Sequence, residues 1–482
     1  MKPKTIVLYP GLYVSHFVPM MQLADAILDH GYAVAVALID VTMDDDPTFA
    51  AAVRRGIATA AKAKPSITFH KLPRIKNPPA LTSIVGYLET VRRYNDHLRE
   101  FLLRSGARSG VHAVVVDAPS VVEALDVVTR ELGIPAYSFF ASNASALAVF
   151  LHLPWIRVEG DATLDIAGVP PMPASHLMPE MLEDPESETY AATTRMIRAT
   201  LDADGVLVNT FASLESRAVR ALGDPRFLPR AAHREMPPVY CVGPLVVLGK
   251  EDDDERKENC SARHECLVWL DEQPDRSVVF LCFGGTGAVT HTPEQITEIA
   301  VGLENSGHRF LWVLRPPRGG NDDDMVALLP HGFLVRTSGR GLVVRPWAPQ
   351  AEALRHRATG AFVTHCGWNS ALEAIVSRVP MLCWPMYAEQ GMNKVVMVEE
   401  IGVGVEVAGW KWRREEEGGN GVVMADEVEG KIRLVMESEE GERLRSSVAA
   451  HGDAAAVAWK DGGSSRAALS LLLSDVDARG LD

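Results

Sequence analysis

Short apolar runs and longer stretches of helical spacing alternate along most of this chain. The first forty residues show the repeating plan. TIVLYP is a short apolar run, VPMMQLADAIL sets its apolar residues at helical spacing, Gly31 suits a helix end, and YAVAVALID is a second apolar run. Strand, helix and strand in that order is how a parallel, doubly wound sheet begins. The alternation continues through ITFHKLP, a long helical stretch from about Ile84 to Leu103, VHAVVVDAP, the helical VVEALDVVTRELG, IPAYSFFAS, GVLVNTF and PVYCVGP. The strands are short and apolar, as strands covered by helices on each face must be.

The pattern breaks at GKEDDDERKENCSARHE, which is acidic and lysine-containing with almost no apolar residues. It predicts an interdomain linker over 247–263, after a first domain of 1–246. A second alternating series follows, with SVVFLCFGG, FLWVLRPP, GLVVRPW, GAFVTHCG and PMLCWPM as strands and TPEQITEIAVGLENSG and WNSALEAIVS as helices. It forms a second domain of 264–455, and residues 456–482 are expected to return as a helix to the first domain. RGGNDDDM and RREEEGGNGV read as solvated loops. A length of 482 residues agrees, being too long for one hydrophobic core. Two α/β halves make a cleft between two sheets the expected ligand site.

The formal net charge of −15 argues against a general nucleic-acid binder, which needs a basic surface. A phosphate-bearing ligand must instead be held locally, by helix N-termini and single side chains. The six cysteines, at 241, 260, 266, 282, 366 and 383, form no CxxC pair and no zinc-finger spacing, which points to a reducing compartment and no structural metal. Pro10, Ser15 and His16 interrupt what a signal peptide would need as its apolar core, and no stretch reaches membrane-spanning length. A cytoplasmic protein, monomeric and without a membrane span, is expected. Asn143 and Asn259 open glycosylation sequons that then carry no meaning.

Candidate chemistry concentrates between Trp347 and Gln390: WAPQAEALRHRATGAFVTHCGWNSALEAIVSRVPMLCWPMYAEQ. GAFVTHCG is a strand ending in a turn, and WNSALEAI opens a helix directly after it. Free backbone N–H groups and the helix dipole make that junction an anion site. His365 and Ser370 add side-chain donors, and Gly367 allows close approach to the backbone. Glu373, one turn in, suits ribose hydroxyls, and Trp347 offers a flat face to a base. In the first half, His16 follows the first strand and Asp117 closes VHAVVVD. Both lie at the carboxyl ends of strands, where doubly wound sheets hold their ligands. A carboxylate on one imidazole nitrogen fixes the tautomer and leaves the other nitrogen to accept a proton.

The string from Trp347 to Gln390 closely resembles, without a gap, the signature box of the plant family 1 UDP-dependent glycosyltransferases of secondary metabolism. VYCVGP, the FGG turn and the region ending in His16 fall where that family has them, so the resemblance covers essentially the whole chain. It implies a GT-B fold, with two Rossmann-like domains facing across a cleft. It implies that Trp347 stacks on uracil near the Ala348 backbone and Gln350, that Glu373 binds ribose, and that His365, Asn369 and Ser370 hold the diphosphate. Trp368, Glu389 and Gln390 would meet the sugar, and His16 with Asp117 would be the catalytic dyad. Two departures stand out. Gly11-Leu-Tyr-Val-Ser15 replaces the glycine-rich turn usual before His16. Gly285 stands where a serine is usual, so Thr286 and bare N–H groups would face the β-phosphate.

The implied activity is metal-independent, inverting transfer of glucose from UDP-glucose, as co-substrate, to a hydroxyl of a small lipophilic acceptor such as a flavonoid or other phenolic, giving a β-O-glucoside. FFASNASALAVFLHLPWI and the loops around 80–90 and 170–195 would wall the acceptor. Gln390, where galactose users often carry histidine, favours glucose. Two alternatives stay open: a UDP-sugar epimerase of the same fold, needing further carboxylates at the sugar, and an inactive UDP-sugar binder, against which His16 and Asp117 argue. A dinucleotide oxidoreductase lacks its GxGxxG after the first strand.

Overall fold

All twelve apolar runs become parallel strands. The computed structural model describes residues 4–39, 54, 57, 66–81, 83–106, 110–158, 162–246, 263–284, 291–315, 327–345, 347–410 and 421–479. The chain divides into two units, one of Met1–Val246 with Val457–Asp482 and one of Val247–Ala456. Most of the acidic run expected to be the linker, 247–262, lies outside the described residues, as do the loops 316–326 and 411–420.

The first unit is built on β1 (Thr5–Tyr9), β2 (Ala33–Leu38), β3 (Ile67–Lys71), β4 (Val111–Asp117), β5 (Ala136–Phe140), β6 (Gly205–Val208) and β7 (Val239–Cys241). Their order across the sheet is β3-β2-β1-β4-β5-β6-β7. Alternate residues feed two cores. Ile6, Leu8, Val34, Val36, Ala113 and Val115 face one, and Val7, Tyr9, Ala35, Ala37, Val114 and Val116 face the other. Helix α1 (Val14–Leu28) covers the first face with Phe17, Met20, Leu23 and Ile27. The expected helix from Ile84 to Leu103 is two, α2 (Ile84–Arg93) and α3 (Asn95–Arg104). They meet at Tyr94, whose fully buried ring anchors the break in the second core. Further on, α4 (Ala144–His152) starts at Asn143, which caps Ala146 N at 2.7 Å. Its first N–H groups also meet a buried carboxylate. Glu215 accepts from Ala144 N at 3.1 Å and from Ser145 N and Oγ at 2.9 and 2.8 Å.

The second unit orders its strands in the same doubly wound way. They are β8 (Val278–Cys282), β9 (Arg309–Val313), β10 (Gly341–Val344), β11 (Thr359–Thr364), β12 (Met381–Cys383) and β13 (Gly404–Glu406), arranged β10-β9-β8-β11-β12-β13. The edge strand β13 has three residues and a glycine-rich sequence, too short for an apolar run to announce it. Helix α5 (Pro293–Ser306) begins where Thr292 caps Gln295 N and Pro293 occupies the first helical position. It packs Ile296, Ile299 and Leu303 with Val279, Leu281, Phe310 and Trp312. Helices α6 (Trp368–Val376) and α7 (Gln390–Val395) follow β11 and β12. From α8 (Ala425–Glu437), Val428, Ile432 and Val435 enter the same core.

The last helix, α9 (Ser464–Arg479), belongs to the first unit. Leu469, Leu472, Leu473 and Val476 are buried with β1, β2 and β4, each such side chain contributing about 1.5 to 3 kcal/mol. Polar ties align it: Tyr32 donates to Asp477 at 2.8 Å, Lys4 pairs with Asp477 at 2.6 Å and Arg479 with Asp204 at 2.6 Å. No helix of the described residues is long and apolar enough to cross a membrane.

Candidate active site

In each sheet the strand order reverses between two neighbouring strands, β1 and β4 in one and β8 and β11 in the other. The crevice at such a reversal is where loops diverge and ligands sit. In the first sheet Tyr9 is level with Val116, so the residues after β1 and the end of β4 emerge side by side. His16 stands in the first turn of α1, and Asp117 ends β4. The His16 Nδ1 lies 2.8 Å from Asp117 Oδ1 and 3.0 Å from Oδ2. The carboxylate is fully buried and the imidazole one quarter exposed. A fully buried carboxylate on Nδ1 keeps the proton there and makes Nε2 the basic nitrogen.

Gly11 explains the departure from a glycine-rich turn. A Cβ at this position would lie 1.9 Å from Asp117 Oδ2, so the one glycine retained before His16 makes room for the carboxylate. Tyr13 stands over the pair, its ring 5.8 Å from that of His16 and stacked on Tyr87 at 5.7 Å. Burial, then the Asp117 and Glu180 carboxylates, push the Tyr13 hydroxyl up, so it stays protonated as a donor. Tyr87 in turn pairs with Ser120 at 2.9 Å. Glu180 Oε2 is buried without a hydrogen-bond partner among the described residues.

In the second sheet Cys282 is level with Thr364, which brings the turns after β8 and β11 together. His365 fits a slot between two glycines. A Cβ at Gly284 or Gly367 would lie 2.8 or 2.4 Å from its Nε2. Its Nδ1 is buried without a partner among the described residues. Burial, with the Arg315 guanidinium as second cause, pulls the imidazole down to about 4. At pH 7 it is therefore neutral, which suits it to act on an anion as an N–H donor.

Gly367 opens α6 without a side-chain cap, and the first intrahelical bond runs from Ala371 N to Gly367 O at 3.0 Å. The N–H groups of 368–370 thus form the positive end of the helix dipole. Gln350 Nε2 donates to Ser370 Oγ at 3.0 Å and to Glu373 Oε2 at 2.8 Å. Ser370 Oγ accepts there, which leaves its O–H to donate. Burial pushes the Glu373 carboxyl up, while Gln350 and Arg355 hold it down. Trp347 is 47% exposed, with His264 against it edge-on at 5.7 Å. This is a flat apolar face, two hydroxyl-reading groups and a helix N-terminus in a row, the requirements of a nucleoside diphosphate.

Residues 253–411 match the family model described as UDP-glucoronosyl and UDP-glucosyl transferase. The chain is 39% identical to UDP-glycosyltransferase 88B1 of Stevia rebaudiana over 97% of each chain. It belongs to the UDP-glycosyltransferase family. Isoflavone 7-O-glucosyltransferase 1 of Glycine max is 36% identical, over 97% of this chain and 98% of that one. The structure of Phytolacca americana UGT2 complexed with UDP-2fluoro-glucose and pterostilbene superposes with a TM-score of 0.80 at 30% identity, covering 98% of this chain and 99% of that one. The chain is thus a glycosyltransferase of the GT-B class, with two Rossmann-like units.

Of the residues expected at the donor site of this UDP-glycosyltransferase, Trp347, Ala348, Gln350, His365, Gly367, Trp368, Asn369, Ser370, Glu373, Glu389 and Gln390 all lie in the second unit. Gly285 and Thr286 lie outside the described residues. Trp368 is 2% exposed, so its ring is interior. Gln390 Oε1 accepts from Met386 N and Tyr387 N, both at 2.9 Å, which leaves the Nε2 end of the amide for a ligand. Among the described residues, no three His, Cys, Asp or Glu side chains are grouped to hold a metal ion. In the run expected to wall an acceptor, α4 is mostly buried. Phe140 and Phe150, two of its half-buried rings, are in edge contact at 5.8 Å.

Four residues in or around the site went unseen in the sequence. Arg315 follows β9, next to the reversal point, and its position just past a strand end in FLWVLR was the available signal. Tyr13 and Tyr87 meet only through tertiary packing. Asn393 lies four residues after Glu389, a spacing that places both on one face of a helix.

Proposed function

We propose that the chain transfers glucose from UDP-glucose to a hydroxyl of a small lipophilic phenolic acceptor such as a flavonoid, with inversion, giving a β-O-glucoside. The observation that carries this reading is the His16 Nδ1 to Asp117 contact of 2.8 and 3.0 Å, made by a buried carboxylate at a strand-order reversal. The names of the relatives support it, one an isoflavone 7-O-glucosyltransferase and another structure holding UDP-2fluoro-glucose with pterostilbene.

In this mechanism unit 1 serves the acceptor and unit 2 the donor. The acceptor O–H gives its proton to His16 Nε2 as its oxygen bonds to the anomeric carbon, and the bond from that carbon to UDP breaks. Asp117 stabilises the resulting imidazolium. One displacement inverts the α-linked donor to a β-glycoside. Charge growing on the leaving diphosphate meets the α6 N-terminus, the His365 N–H and the Ser370 hydroxyl, each good donor contributing about 3 to 4 kcal/mol. Trp347 stacks on uracil and Glu373 accepts from ribose. Glu389 and the Gln390 Nε2 group read adjacent equatorial hydroxyls, so UDP-glucose is preferred to UDP-galactose.

The test is product analysis with UDP-glucose and a panel of phenolic, terpenoid and hormone acceptors, in the presence of EDTA. A β-glucoside and UDP are expected in equal amounts. His16→Ala is expected to lower turnover on the order of 10²- to 10⁴-fold with UDP affinity unchanged. Equal turnover of wild type and His16→Ala on an un-ionised phenol would remove His16 from the mechanism. Activity lost in EDTA and restored by Mn²⁺ would contradict the donor scheme.

A further inference from the structure

The sugar-reading and phosphate-reading parts of the donor site share one side chain. Asn393 is fully buried in the first turns of α7, held there by its N–H to Glu389 O at 3.0 Å. Its Nδ2 donates to Cys366 O at 3.0 Å and approaches Glu389 Oε1 at 3.5 Å. An amide nitrogen carries two hydrogens, so both contacts can be made at once.

What Cys366 O does decides the value of that bond. Cys366 adopts φ 64°, a left-handed conformation that a residue other than glycine holds only with support from its surroundings. Its carbonyl shares a rigid peptide plane with the Gly367 N–H, and the two point in opposite directions. Pinning the carbonyl inward on Asn393 therefore turns the Gly367 N–H outward, at the mouth of α6. It also fixes the two residues beside Cys366, of which His365 fills the slot between Gly284 and Gly367. The second hydrogen of the same amide meets a carboxylate oxygen of Glu389, which precedes α7. Gln390, the next residue, has its own carbonyl oxygen tied to the backbone at 386 and 387.

We propose that Asn393 is a positioning residue for donor-sugar selection: its amide locks the phosphate-binding turn at Cys366 and the sugar-reading carboxylate of Glu389 into one register. The inference rests on the assignment of UDP-glucose as donor. A sugar whose hydroxyls fit Glu389 is then favoured only while its diphosphate sits on the turn, and the discrimination between hexose epimers runs through this one amide. Asn393 touches no substrate and acts through the two groups it holds.

The experiment uses the full chain and four variants, Asn393→Asp, Asn393→Ala, Glu389→Ala and the Glu389→Ala/Asn393→Ala double. For each, the thermal midpoint, the affinity for UDP, and kcat/KM with UDP-glucose and UDP-galactose at a fixed phenolic acceptor are measured. Asp matches Asn in size but lacks the two N–H donors of the amide, so it cannot make both contacts. Asn393→Asp and Asn393→Ala are expected to lower the glucose-to-galactose ratio about 5- to 10-fold, while UDP affinity changes less than the ratio. In the Glu389→Ala background the Asn393 substitution is expected to leave the ratio unchanged, because the group it positions is gone. A wild-type ratio in Asn393→Asp overturns the proposal, since Asn393 would then only fill space. So does an equal fall of the ratio with and without Glu389. If the Asp variant does not fold, the Ala pair decides by the same comparison. Failure of the wild type to bind UDP-glucose at all would instead overturn the donor assignment.

Discussion

Acidification gives a direct test of the environment assigned to His365. Its imidazole is drawn from 6.5 to about 4 by burial and by Arg315. Between those two values the unfolded chain binds a proton at this residue and the folded chain does not. Stability must therefore rise with pH across that window, and fall as pH is lowered from about 6.5 to 4. Above it both states are neutral and the residue adds no pH dependence. The interval, from 6.5 to about 4, corresponds to on the order of 3 kcal/mol between the two ends. Other groups titrate in the same range. Burial raises the Glu373 and Glu215 carboxyls, which gives the opposite sign as they pick up protons in the folded state first. The informative quantity is consequently the difference between wild type and His365→Gln, an uncharged side chain with an amide donor. Urea midpoints measured at half-unit steps from pH 7.5 to 4 should run parallel above pH 6.5 and diverge below it, the wild type losing about 1.4 kcal/mol more per pH unit. Curves that stay parallel throughout would refute a buried, unpartnered imidazole. A diphosphate beside the ring favours its charged form, so UDP binding at pH 5 should take up protons. Calorimetry in buffers of different ionisation enthalpy measures this uptake.

Gly11→Ala would set a methyl group 1.9 Å from Asp117 Oδ2, so it should displace the carboxylate and lower kcat at least about 10-fold with UDP affinity unchanged, read by product formation and calorimetry. Gln350→Leu removes the donor to Ser370 and Glu373, and UDP affinity should weaken about 5- to 10-fold, more for UDP than for inorganic diphosphate. Glu215→Ala removes a buried carboxylate that accepts from three donors at the start of α4. A loss on the order of 3 kcal/mol is expected in denaturant unfolding, and a loss under 1 kcal/mol would show those donors are satisfied otherwise.

The sequence by itself determined the twelve strands that its apolar runs mark, the two-domain plan, and the strand-to-helix junction inside the segment from Trp347 to Gln390. These are local properties. Period-2 and period-3.6 patterning and the residue types around one turn are visible within a short window, whatever the rest of the chain does. Tertiary structure alone decided what meets across distance. His16 and Asp117 are 101 residues apart and touch because β1 and β4 became neighbours, a matter of strand order that no window contains. Asn393 reaches Cys366 across 27 residues because α7 packs behind the turn after β11. The same cause hid the break at Tyr94, where burying one aromatic ring outweighed the helical pattern around it, and the short edge strand at 404–406, which is a strand only because β12 offers it hydrogen bonds. It also set His365 to be neutral, since the burial and the Arg315 charge that lower it come from residues distant in sequence and adjacent only once both strands are in the sheet.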